Sequence, residues 1–218
     1  MPVKIKDLKF IDKWGESLEK QVVTYEQEPI RKGEIVFYGA SNFTRWKEQK
    51  YGNPNLREAI VGESGAPCCI NRGFGSSCSE HQLYYYPRLI RPLAPRVLVY
   101  HSHGNSTAFG YSLEEEWELA QRVIAWTMTD FPSVRVYLVG VNPCKCMDEK
   151  YAQTRETYNG WLQAFAAAHE NCFFIDPTTY PPLLRDDIYT DQVHFNQEGY
   201  DLYGEFFRQA LKDELAQY

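Results

Sequence analysis

Five short apolar runs recur along the chain, and a stretch of helical periodicity separates each from the next. They are residues 34–38, 68–71, 96–101, 133–140 and 172–176. Their apolar residues are continuous, as in Ile35-Val36-Phe37-Tyr38 and Val97-Leu98-Val99-Tyr100, and do not alternate with polar ones. A strand buried on one face alternates; a strand buried on both does not. Strands that alternate with helices are joined by crossovers and lie parallel. The pattern predicts an α/β domain of three layers: a five-stranded parallel sheet, helices on both faces, in the flavodoxin-like order 2-1-3-4-5.

The intervening segments supply the helices. Residues 7–27 read as an amphipathic helix, with Leu8, Ile11, Trp14 and Leu18 at helical spacing. A helix from Ser41 to about residue 60 is broken at Gly52-Asn53-Pro54. Further helices are expected over 78–91, from the capping box Ser112-Leu113-Glu114-Glu115 to about 129, over 148–169, and over 197–215. Tyr200, Tyr203, Phe207 and Leu211 form the buried stripe of the last one. Repeats, low-complexity stretches and linkers are lacking, so residues 1–218 read as a single domain, with the N-terminal helix and turn (1–32) packed on it.

In an open parallel sheet, ligands bind beyond the carboxyl ends of the strands. Four unusual loops fall there. Gly39-Ala40-Ser41 follows the first strand, Gly73 to Ser77 the second, His103-Gly104-Asn105 the third, and Asp191-Gln192-Val193-His194 the fifth. Alone, Ser41 is a helix cap, a role serine favours. Beside the other three loops it becomes a candidate nucleophile. A serine hydroxyl is a weak nucleophile and needs a base, which His194 supplies. Asp191 holds the imidazole in orientation. The oxyanion that forms on an attacked carbonyl needs preorganised N–H donors. Candidates are the backbone N–H of Ser41, those of Gly75 and Ser76 in the glycine-rich loop, and the Asn105 amide.

These segments resemble the SGNH hydrolases, also called GDSL-type esterases. Gly39-Ala40-Ser41 is similar to the family's GDS block and Asn71-Arg72-Gly73-Phe74-Gly75-Ser76-Ser77 to its NRGxGG block. His103-Gly104-Asn105 matches GxND, and Asp191-Gln192-Val193-His194 matches DxxH. The resemblance implies the three-layer α/β fold, a serine nucleophile, hydrolysis of esters or thioesters, and no metal or organic cofactor. Three positions depart from the pattern. Ala40 replaces an aspartate that is neither nucleophile nor base. Ser76 replaces a glycine, which keeps the N–H but restricts the backbone. The third block reads His-Gly-Asn-Ser, a one-residue shift around Asn105. Family analogy points to a short acyl ester, such as the acetyl ester of a sugar. A longer-chain lipolytic esterase or thioesterase, and a non-catalytic binding protein on the same scaffold, are the alternatives.

Composition narrows the partners. A net charge of −6 argues against nucleic acid and anionic membrane surfaces. The partner expected is a small-molecule or carbohydrate ester. The first residues hold no apolar signal core, and no stretch approaches membrane-spanning length, so the chain reads as cytoplasmic. Of the six cysteines, Cys68, Cys69 and Cys172 read as small core residues. The Cys144-Lys145-Cys146 pair has no partnering CxxC or HxxxH and reads as structural. His101 is expected on a face of the sheet, His103 and Asn142 near the pocket or in a turn, and Trp46 in the core. Tyr84, Tyr85 and Tyr86 are expected to pack their helix, with one able to reach the cleft. Asp186 and Asp187 are alternative orienting groups.

Overall fold

The computed structural model describes residues 8–46 and 55–218. Five parallel strands form one sheet: β1 (Ile35–Gly39), β2 (Cys69–Gly73), β3 (Val97–Tyr100), β4 (Arg135–Val139) and β5 (Cys172–Ile175). Their order is β2-β1-β3-β4-β5, the order the alternation of runs and helices predicts.

Every residue of β1, β2 and β3 is buried, which is why β1 and β3 read as unbroken apolar runs, while β2 carries the buried polar pair Asn71-Arg72 near its end. Successive side chains go to opposite layers. Val36, Tyr38, Leu98 and Tyr100 enter one core, under α1 (Gly15–Glu26), α4 (Ser79–Leu89), α6 (Leu113–Asp130) and α7 (Glu149–Ala168). Ile35, Phe37, Val97 and Val99 enter the other. That core is closed by α2 (Ser41–Thr44), α3 (Leu56–Ala59), α8 (Gln197–Ala210) and α9 (Lys212–Leu215). A short helix, α5 (Asn105–Phe109), follows β3.

The stripe of α8 is as expected: Tyr200, Tyr203, Phe207 and the following Leu211 are wholly buried. The Asn196 side chain caps it by accepting from the Gly199 N–H. α6 begins with the Ser112–Glu115 capping box.

Three boundaries differ from the sequence expectation. The first helix starts at Gly15, eight residues later than its periodicity implies. The buried Glu80 carboxylate accepts the backbone N–H groups of Lys9 and Phe10, which holds that segment outside a helix. Trp14 then adopts a left-handed conformation before α1 (φ 62°), and Leu8 and Trp14 face solvent. Second, β2 runs on through Arg72 and Gly73, paired with Tyr38 and Gly39, so the glycine-rich loop starts two residues late. Third, the helix opened by Ser41 ends at Thr44, and among the described residues that follow, Leu56–Ala59 form a separate helix. The expected break at Gly52-Asn53-Pro54 lies outside the described residues. Among the described residues, no helix is long and apolar enough to cross a membrane.

Candidate active site

Ser41 is the first residue of α2, at the carboxyl end of β1. Two glycines let this helix sit directly on the strand ends. A Cβ at Gly73 would lie 2.5 Å from Phe43 Cβ and 2.7 Å from the Thr44 nitrogen; no L side chain fits there. A Cβ at Gly39 would lie 3.0 Å from the His101 carbonyl oxygen. The buried Asn71 side chain fastens the junction. Its Nδ2 donates to the Phe43 carbonyl at 2.7 Å, and its Oδ1 accepts the Gly73 N–H at 2.8 Å. From the α8 side, Tyr200 Oη donates to the Asn42 carbonyl at 2.8 Å. Phe43 and Trp46 anchor the helix in the aromatic core, where Trp46 stacks on Tyr203 with centroids 5.4 Å apart. Trp46 is thus the core residue expected.

Ser41 Oγ lies 2.9 Å from His194 Nε2. His194 Nδ1 lies 2.8 Å from Asp191 Oδ2 and 2.9 Å from Oδ1. The loop carrying both residues is pinched at its base. Tyr189 and Phe195 pair as an isolated antiparallel bridge, and the Thr190 N–H donates to the His194 carbonyl at 2.9 Å. Asp191 Oδ1 also accepts the Val193 and His194 backbone N–H groups, each at 2.9 Å.

Burial alone would raise the Asp191 carboxyl. The two backbone N–H groups and the His194 ring overcome it and hold the group well below the ordinary carboxylate range. His194 lies below the ordinary imidazole value: burial lowers it, Asp191 raises it, and the charge of Arg45 lowers it again. Arg45 Nη1 lies 3.1 Å from Asp191 Oδ2. A neutral imidazole with Asp191 behind it can accept a hydroxyl proton and return it to a leaving group.

The expected donors do not all face this point. Gly75 lines a small cavity of about 220 Å³ beside Ser41 and His194, but its N–H is given to Gln21 Oε1 of α1 at 2.7 Å, and Gln21 Nε2 donates back to the Gly75 carbonyl at 3.3 Å. Gly75 is therefore removed from the donor set. Among the described residues, the Ser76 N–H has no protein acceptor, and Ser76 takes the left-handed conformation (φ 67°) that a glycine would adopt without strain. The Ser41 N–H, first in its helix, has no acceptor within it. Asn105 lines the same cavity as Ser41 and His194 despite the shift in its block. One amide hydrogen is fixed by the Ser77 carbonyl (Nδ2···O 2.8 Å), which leaves the second for a ligand.

A cavity of about 340 Å³ opens beside Ser41 and His194. His101, His103, Asn142, Cys144, Cys146 and Tyr151 are among its lining residues. His101 is buried with its ring edge-on to Phe43, centroids 6.1 Å apart, and also lines the cavity; burial and nearby His103 push its imidazole down to about 3. Its Nε2, Asn42 Oδ1 and Asn142 Nδ2 are buried and find no hydrogen-bond partner among the described residues. Asn142 is a cavity residue because Tyr203 Oη and Tyr151 Oη, each at 2.9 Å, hold its Oδ1 and its carbonyl. None of Tyr84, Tyr85 and Tyr86 lines this cavity. Asp187 pairs with Arg185 at 2.6 Å, away from His194.

Sequence reasoning missed three residues here: Gln21, Arg45 and Glu116. Glu116 is wholly buried and accepts from His103 Nδ1 at 2.9 Å and from the Gly104 N–H at 3.0 Å, fixing the turn before Asn105. Its signal was visible: a carboxylate in register with the buried stripe of Leu119, Ala120 and Val123. Gln21 and Arg45 carry none, since Gln21 sits on a polar position of α1 and Arg45 in the turn after α2.

The description "GDSL-like Lipase/Acylhydrolase family" matches residues 37–202. This chain belongs to that family. It is accordingly a serine hydrolase of the acylhydrolase class. No curated protein matches the sequence. Among solved structures, it is similar to a GDSL-like lipase from Bacteroides thetaiotaomicron (18% identity, TM-score 0.71, 90% of this chain and 98% of that one). It is also similar to an acetyl xylan esterase (17%, TM-score 0.65, 81% and 98%). A third is a psychrotrophic esterase from a Pseudoalteromonas species (11%, TM-score 0.65, 84% and 98%). At these identities the likeness carries the fold.

Proposed function

We propose that this member of the family is an esterase for short acyl groups, acetyl foremost, working through Ser41, His194 and Asp191. The observation that carries the reading is the continuous line Ser41 Oγ to His194 Nε2 (2.9 Å) and His194 Nδ1 to Asp191 Oδ2 (2.8 Å). His194 takes the Ser41 proton as Oγ attacks the ester carbonyl. The tetrahedral oxyanion is met by the Ser41 and Ser76 N–H groups and the free Asn105 amide hydrogen. Collapse releases the alcohol, which leaves with the proton from His194, and forms the acyl-enzyme. Water, deprotonated by His194, then releases the acid and restores Ser41 Oγ–H.

Two features support a short acyl group. The cavity is modest at about 340 Å³. Its buried, unpartnered polar atoms on His101, Asn42 and Asn142 disfavour an alkyl chain, which would leave them unpaired. The solved acetyl xylan esterase of the same fold supports a carbohydrate as the alcohol.

Hydrolysis of p-nitrophenyl acetate, butyrate and octanoate tests this reading, together with a fluorophosphonate label. Rates should fall with chain length. Ser41→Ala should abolish the label, and it and His194→Ala should each lower kcat by about 10³-fold or more. A profile peaking at octanoate makes the enzyme lipolytic. An unlabelled, inactive wild type makes it a binding protein.

A further inference from the structure

The cavity wall carries two thiols that ester hydrolysis does not use. Cys144 and Cys146 both line it, and their Sγ atoms lie 2.8 Å apart. Even two carbon atoms pack no closer than about 3.5 Å at their optimum. The residues are two apart on a turn, so their Cα atoms are separated by less than roughly 7 Å, which brings them within reach of a disulfide.

The other four cysteines lack this combination of pairing and access. Cys78 lies against His81 and Cys172 against Met128, each a single buried thiol. Cys68 and Cys69 are neighbours 3.9 Å apart, both buried. Cys146 alone is exposed, and its partner Cys144 is buried behind it. The pair is also wired to the catalytic loop. The Lys145 N–H, between the two cysteines, donates to the Gln192 carbonyl at 2.9 Å, and Gln192 follows Asp191.

We infer that Cys144 and Cys146 form a thiol–disulfide exchange site on the cavity wall, taking small disulfides of the glutathione class as oxidant. The Cys146 thiolate attacks one sulfur of the disulfide RS–SR. The S–S bond breaks, and RS⁻ leaves and takes up a proton as RSH. Cys144 then loses its proton and attacks Cys146 Sγ. A bond forms between the two protein sulfurs, the mixed disulfide breaks, and the second RS⁻ leaves as RSH. Two protein thiols are oxidised and one RS–SR is reduced to two RSH. Burial, with the Cys146 contact, pushes the Cys144 thiol up to about 12, so the exposed Cys146 is the thiol that attacks the incoming disulfide. Proximity offsets the scarcity of Cys144 thiolate in the second step.

The site stands independently of ester hydrolysis, and its test reads mass. The reduced native chain is exposed to oxidised glutathione, alkylated with N-ethylmaleimide and mapped by peptide mass spectrometry. The expected wild-type product is the peptide containing both residues, two hydrogens lighter, unalkylated, and restored by dithiothreitol. In Cys144→Ser, the reaction should stop at a stable Cys146–glutathione adduct. In Cys146→Ser, Cys144 should acquire neither bridge nor adduct. Without oxidant, reduced wild type should bind one phenylarsine oxide, and neither single variant should. A wild type that accumulates the Cys146 adduct with no bridge, or that bridges other cysteines first, overturns the assignment. So does failure of both glutathione and arsenical to touch either residue. Four core thiols that stay unalkylated in the native chain certify that each variant is folded.

Discussion

In the proposed mechanism the proton-handling group is His194, and its setting fixes a pH profile. Its imidazole titrates below 6.5 because it is buried and faces Arg45. In that mechanism the neutral form is the base that takes the Ser41 proton. kcat/KM should therefore rise with pH on a limb whose midpoint lies below 6.5. Arg45→Gln removes a cation that disfavours the imidazolium, so the limb should move to higher pH. A limb that stays in place, or moves down, would contradict this role for Arg45. Ser76 offers a second test at this scale. An L residue in the left-handed region costs about 1–2 kcal/mol, part of which a glycine returns as entropy of the unfolded chain. Ser76→Gly should raise stability by up to about 1 kcal/mol in urea unfolding and retain turnover, since the N–H is unchanged. Loss of turnover would mean that the Ser76 hydroxyl takes part.

At the scale of elements, the strands were legible and the attachments between them were not. A strand buried on both faces writes itself as an apolar run, so all five runs and their order could be read. The convergence of Ser41, Asp191 and His194 was legible too, because each sits at the end of such a run or just before the striped helix α8. The Gly75–Gln21 contact was not, because it joins residues 54 apart through a polar side chain with no periodic signature. The late start of α1 escaped for the same reason: Glu80 takes the Lys9 and Phe10 N–H groups from 70 residues away. Gln21→Ala tests the attachment. It unpairs the Gly75 amide next to the Ser76 donor, and a hydrogen bond is worth about 0.5–1.5 kcal/mol. kcat/KM should drop about threefold to tenfold, with the Ser41 label retained. An unchanged rate would show that the loop holds its shape without α1.

Across the whole molecule, two cores meet at the sheet, and the site sits where the second core ends. Phe37, Phe43, Trp46, Tyr203 and Phe207 form one aromatic cluster below Ser41. Phe207 is wholly buried, and its ring is 6.1 Å from Phe43, two residues after Ser41. Phe207→Ala should cost about 3–5 kcal/mol, which for a chain of this size lowers Tm by at least about 6 °C. A calorimetric shift under about 2 °C would mean that the cluster refills the gap. Stability and turnover should fall together here, whereas Arg45→Gln should separate them.

The Gln21 clamp has a consequence in the time domain. The Gly75 amide hydrogen is closed off by a side chain of α1, a helix that precedes the family-matched residues 37–202. Its exchange with deuterium requires that the Gln21 Oε1 bond open, whether the side chain rotates or α1 lifts away, whereas the Ser76 amide next to it needs no such opening. The ratio of the two exchange rates is therefore a clock for the opening of this clamp, readable in the resting protein. Two adjacent amides on one loop would report how often the N-terminal helix loses its hold on the loop, and whether a ligand in the cavity keeps it in place.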